Sequence, residues 1–175
     1  MRVARPAGLR PAVARRPPCS LRGVGAPEPL DPFEEFVELW GKLLGEAEGS
    51  RTTLVVEGER DRQAIRRLGW GGPIVVVHRG RPISATASGL VASRGKVIVL
   101  TDWDTEGGRL ARRLRDFLEA EDVRLDLDFR RRLARILRGE LTHVEGLFGW
   151  ARRQAERRGE TLDRLLDRAD DRPTG

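Results

Sequence analysis

Three acidic residues stand where apolar segments give way to helical ones. Leu54-Val55-Val56 runs into Glu57-Gly58, and Val97-Ile98-Val99-Leu100-Thr101 runs into Asp102-Trp103-Asp104, with Gly107 and Gly108 just beyond. Asp-x-Asp puts two carboxylates on one side of an extended segment. If both segments are neighbouring strands of a parallel sheet, Glu57 joins the pair, and like charges that close must hold protons or a cation. Mg²⁺ suits such a set, because it takes hard oxygen ligands and is held by one or two carboxylates plus substrate phosphate. Gly107 and Gly108 would let a phosphate approach the backbone at the start of the next helix. Each acid also has a plain structural reading. Asp104 caps the following helix, Asp102 is a solvated loop residue, and Glu57 is a strand-end carboxylate with an Arg partner.

The elements that must position these residues are legible in the patterning. Asp31-Pro32-Phe33-Glu34 is a strong helix start, with Asp as N-cap, Pro at the first position and Glu at the third. Phe33, Phe36, Val37, Trp40, Leu43 and Leu44 follow at helical spacing, and Gly45 to Ser50 ends the helix. Buried strands are expected at 52–56, 74–77 and 97–100, and a fourth, short one at 123–127. Helices are expected at 60–68, 105–120 and 128–138. Leu110, Leu114, Phe117 and Leu118 form the inner stripe of the second, and Phe129, Leu133, Ile136 and Leu137 that of the third. Residues 79–95, rich in Gly, Ser and Ala without clear period, read as loop with a short helix. Strand–helix alternation with continuous apolar strands predicts an α/β fold, a parallel sheet covered on both faces. In such sheets ligands bind beyond the carboxyl ends of the strands. From 142 onward no strand is expected: Thr142-His143-Val144-Glu145 reads as a capping box, and a second short helix starts near Thr161. This extension would serve as a partner surface, cover a sheet edge or form a dimer.

Charge is unevenly spread. Residues 1–30 hold six of the ten prolines and six Arg against one acid, Glu28, so they carry five of the six net positive charges. This stretch reads as a disordered basic leader. A transit peptide and a weak nucleic-acid contact are the other readings, and an extension without function is preferred. The remaining body is nearly neutral. One cysteine, Cys19, excludes an internal disulfide framework and, with two His, an all-protein Cys/His zinc site. A reducing cytoplasm is expected. No apolar run approaches the about 18 residues of a membrane span.

The two acidic motifs together resemble the TOPRIM domain shared by topoisomerases, bacterial-type primases, some repair proteins and small RNA-processing nucleases. Leu54-Val55-Val56-Glu57-Gly58, with Asp61 four residues after the Glu, matches one motif, and Val97 through Asp102-Trp103-Asp104-Thr105-Glu106-Gly107 the other. The resemblance spans about residues 50–127, within a domain placed at 31–140 and followed by the extension at 141–175. The run Leu-Thr-Asp-Trp-Asp-x-x-Gly looks closest to the small primase-like TOPRIM proteins of archaea, themselves similar to the 5S ribosomal RNA maturation nuclease. The resemblance implies a Rossmann-like four-stranded parallel sheet. Glu57 would be general acid/base and metal ligand, Asp102 and Asp104 would hold one or two Mg²⁺, with Mn²⁺ as substitute, and RNA or DNA would be the partner. Asp61 matches a frequent family position, but on a helix it is expected to pair with Arg62 or Arg66 or to ease the dipole.

Composition prunes these activities. Without Tyr the chain cannot form the tyrosyl intermediate of topoisomerases, and without a Cys/His cluster it lacks the zinc module of bacterial-type primases. No phosphate loop and no nucleophile elbow is present. A haloacid-dehalogenase reading of Asp-x-Asp fails on Glu106, where Thr or Val is wanted. Glu106 reads as a first-turn acid, Glu145 as the capping-box acid, and His78 and His143 lack a partner pattern for nucleophilic catalysis. Trp103 either stacks on a base or packs on the sheet edge. Arg109, Arg112, Arg113, Arg115, Arg130, Arg131, Arg132, Arg135 and Arg138 are candidate phosphate contacts. The expectation is therefore a Mg²⁺-dependent nuclease acting on RNA or DNA. The alternatives are a primase-like nucleotidyl transferase and a non-catalytic module that binds nucleic acid and recruits a ribonucleoprotein partner.

Overall fold

The computed structural model describes residues 31–49, 51–77, 82–93 and 95–170. The basic leader, Cys19 and His78 lie outside the described residues. Four strands, β1 (Thr52–Val56), β2 (Ile74–Val76), β3 (Lys96–Val99) and β4 (Leu125–Asp126), form one parallel sheet in the order β2-β1-β3-β4. The chain steps from β1 outward to β2, then crosses back over β1 to β3. The gap between the ends of β1 and β3 is therefore the switch point where the connections diverge.

Alternate residues of the central strands face opposite layers. Leu54, Val56, Ile98 and Leu100 face α1 (Pro32–Gly49), α2 (Glu59–Arg67) and α5 (Asp128–Ile136). Val55, Val97 and Val99 face α3 (Ile83–Ser93) and α4 (Thr105–Glu119). Strands buried on both faces read as unbroken apolar runs, as these do. The first layer is the larger. Its aromatic centre stacks Phe36 on Trp40 and sets Trp150 edge-on to Phe33 and Phe36. Buried indole N–H groups need acceptors: that of Trp40 donates to the Leu68 carbonyl and that of Trp150 to Glu140.

The C-terminal extension joins this same core. A 3₁₀ turn (Val144–Gly146) leads into α6 (Leu147–Arg157), and α7 (Leu162–Asp170) follows. Val144, Leu147, Trp150, Ala151, Leu162 and Leu166 are all buried with the α1 aromatics. Among the described residues no helix is long and apolar enough to cross a membrane.

Three local expectations are corrected, while helix α1 ends at Gly49, inside the stretch from Gly45 to Ser50 expected to end it. Its last turn carries Glu46, whose carboxylate meets Lys96 at 2.8 Å, and Ala47, which packs on the core. Residues 83–93 form a three-turn helix rather than mostly loop, with Ile83, Ala87 and Leu90 buried at helical spacing; small side chains hid the period. Phe117 is 43% exposed, because the inner stripe of α4 runs Gly107, Ala111, Leu114, Leu118 and turns it outward. Strand β4 is two residues long rather than five.

Candidate metal and phosphate site

Register places the acids. Val55 pairs with Val99, and the Leu100 amide donates to the Val55 carbonyl at 2.8 Å. Glu57 and Asp102 thus leave adjacent strands side by side, and the Asp102 amide donates to Glu57 Oε1 at 3.0 Å. Asp104 caps α4, accepting from the Gly107 amide at 2.7 Å. Its structural reading therefore holds, and it stays exposed beside the site.

Gly107 is required by the protein's own packing. A Cβ there would lie 2.2 Å from the Asp102 carbonyl oxygen and 2.7 Å from Glu57 Oε1, whereas nothing stands within 4 Å of one at Gly108. The buried hydroxyl of Thr101 donates to the Gly107 carbonyl at 2.9 Å and ties this first turn to the end of β3.

The oxygens of Asp102 are not simply solvated. Oδ1 accepts from the Val144 amide at 2.8 Å, so a site carboxylate holds the start of the 3₁₀ turn. The Thr142 capping box does not form: the turn has no side-chain cap from its own N-cap, His143, and the Thr142 hydroxyl contacts His143 Nδ1 instead. Asp61 pairs with neither Arg62 nor Arg66, which bind Glu59 and the carbonyls of Trp70 and Gly72. It is buried, accepts from the Gly58 amide at 2.9 Å, and lies close enough to the Glu145 backbone for that amide to ease its charge. The Asp102 carboxylate on the Val144 amide and the Trp103 amide on the Thr142 carbonyl at 2.9 Å hold the C-terminal segment against the strand ends.

This grip brings in His143. One ligand atom each from Asp102, Asp104 and His143 lies within 4.8 Å of the others. Glu57 is outside that trio, one hydrogen bond behind Asp102. Arg130, one of the arginines expected as phosphate contacts, also lies at the site. It donates through Nε to the Thr101 carbonyl at 3.0 Å and through Nη2 to that of Asp102. Its guanidinium feels the charges of Glu57, Asp102 and Asp104. Trp103 packs against the larger core, with its indole N–H on the Arg130 carbonyl at 3.1 Å. Nothing in the sequence ties helix α5 or the 142–145 segment to the end of β3, so Arg130 and His143 carried no signal there.

The electrostatics follow from crowding. Burial raises the Glu57 carboxyl above its ordinary range; the Asp102 amide opposes this, while the charges of Asp102, Asp104 and Asp61 add to it. Burial likewise raises Asp102 against the Val144 amide and His143, with Asp104 and Glu145 adding to the rise. Asp61 is raised by burial first, then by Asp102 and Glu145. Carboxylates raised by each other's charge favour a bound cation. The oxygen donors fit a hard divalent ion, and one imidazole widens the choice toward Mn²⁺ and softer metals.

The chain is 38% identical over 117 residues to the UPF0292 protein of Thermococcus onnurineus, a match covering 67% of this chain and 84% of that protein. It is 41% identical over 118 residues to the UPF0292 protein of Thermococcus gammatolerans, with the same coverage of each, 67% and 84%. A UPF0292 protein of Methanosarcina acetivorans matches at 30% identity over 121 residues. Among solved structures, a protein from Aquifex aeolicus superposes with a TM-score of 0.51 at 25% identity, covering 61% of this chain and 93% of that one. No family model matches the chain.

Proposed function

We propose that this chain, which belongs to the UPF0292 family, performs Mg²⁺-dependent phosphodiester chemistry on nucleic acid through a TOPRIM-like site, as a nuclease. The observation that carries this reading is the meeting of Glu57, Asp102 and Asp104 at the switch point of a parallel sheet. Asp102 and Asp104 would hold Mg²⁺, which supplies positive charge against phosphate oxygens when bound. Glu57, held by the Asp102 amide and raised by burial, is suited to keep and pass a proton at its carboxylate oxygen. Arg130 fixes the carbonyls of Thr101 and Asp102 and adds fixed positive charge behind the acids. His143, exposed beside both Asp residues, would face the phosphate.

Cleavage of structured RNA and of single-stranded DNA in Mg²⁺ is the test. Glu57→Gln keeps the acceptor for the Asp102 amide and removes the titrating group. Cleavage is expected to fall by about 10²–10⁴-fold with folding intact. Unchanged cleavage by this variant would sink the assignment.

A further inference from the structure

A groove of about 480 Å³ lies between α2 and α6, with Glu145 and Gly146 of the 3₁₀ turn in its lining. Its α2 wall carries Arg60, Gln63 and Arg67 on one helical face, and its α6 wall Phe148, Arg152 and Arg153. Four guanidinium groups therefore line it. The nearby carboxylates are Glu145, 3.8 Å from Arg60, and Glu156, 3.4 Å from Arg152, so the groove stays net positive.

Position and shape give the groove a direction. Helix α2 begins two residues after Glu57, and Arg60 in its first turn lies 3.8 Å from Glu145 of the 3₁₀ turn that follows His143. From Arg60 to Arg67 the helix rises about 10 Å, enough to run beside a short stretch of a single strand. At its far end the Arg67 guanidinium lies 3.8 Å over the Phe148 ring, a planar stack of the kind on which bases settle.

We propose that this groove is the track for the sugar–phosphate backbone of a single nucleic-acid strand, which it leads to the acidic edge. The proposal rests on the phosphodiester reading of that edge. Arg60 and Arg153 contact phosphates, Arg67 and Phe148 hold a base, and the helical extension is thus one wall of the substrate path.

The test is anisotropy of a short labelled single strand, as RNA and as DNA of one sequence, with chelator present so that no chemistry runs. Arg60→Gln with Arg153→Gln leaves the Arg67–Phe148 stack in place. It is expected to weaken binding on the order of tenfold and to lower the salt slope by about two. Lys at both positions is expected to restore most of the binding. Arg124→Gln with Arg164→Gln removes the same charge from exposed positions elsewhere and should change binding less than twofold. Equal losses in the two pairs, no loss in the groove pair, or binding of duplex alone overturns the proposal. Asp102→Asn separates the two ideas. If it stops cleavage while the groove pair binds normally, only the groove falls. If it cleaves normally while the groove pair loses binding, only the metal reading falls.

Discussion

The two ends of strand β3 treat charge in opposite ways. At the amino end Lys96 meets Glu46 at 2.8 Å and Asp126 at 3.0 Å. Burial would raise the Asp126 carboxyl, but Lys96 and the amides of Phe129 and Asp128 overcome it and leave it low. Burial would lower the Lys96 ammonium, yet its two carboxylates raise it. At the carboxyl end Glu57, Asp61 and Asp102 all stay raised, with Arg130 turned to backbone carbonyls. One end is a closed ion-pair cluster that holds α1 and β4 to the sheet. The other keeps its carboxyls raised by burial and by one another, as the proposed cation and phosphate site would require.

Substitutions at each end can break or sharpen that contrast. Gly107→Ala should have the largest effect, about 3 kcal/mol of lost stability, because its Cβ would collide with the Asp102 carbonyl and the Glu57 carboxylate. Denaturant melts measure it, and a stability unchanged from wild type would mean that this corner is looser than described. Lys96→Met should cost about 1–2 kcal/mol. That is less than a fully buried pair would lose, since the Lys96 and Asp126 side chains keep 18% and 25% exposure.

Asp102→Asn should act in the other direction. Asn still accepts the Val144 amide, so removing the charge should stabilise the protein in chelator by no more than about 1 kcal/mol, given solvent screening. The pH windows differ as well. Carboxyls raised on folding add stability below their unfolded values near 4, and that stability is lost as pH rises through the folded values. For Asp126, lowered on folding, the stability is present above its unfolded value and lost as pH falls through the folded one. Asp102→Asn should therefore flatten the loss on the rising side in chelator. Lys96→Met should flatten the loss on the acid side. Identical pH profiles for the two variants would erase the contrast.

Much of this was legible in the residues. The apolar strands and the stripes of α2 and α5 follow from patterning. The pairing of β1 with β3, which sets Glu57 beside Asp102, was a condition of the sequence reading, and the strand order meets it. What escaped is long-range and polar. Asp102 spends an oxygen on the Val144 amide, the Trp103 amide donates to the Thr142 carbonyl, and these contacts carry His143 to the site. Phe117 was misplaced because Gly107 and Ala111, together with Leu114 and Leu118, set the buried face of α4. The helix at 83–93 was underestimated for the same reason: Ala87 is a weak signal of periodicity, though it packs as well as a larger residue where the layers come close.

Mn²⁺ binding tests whether Asp102 and Asp104 hold a divalent cation. Calorimetric titration of the wild type should show one or two sites, and the double variant Asp102→Asn with Asp104→Asn, confirmed folded by its melt, should lose them. Equal Mn²⁺ binding by wild type and variant, or no binding by the wild type at millimolar Mn²⁺, would contradict it.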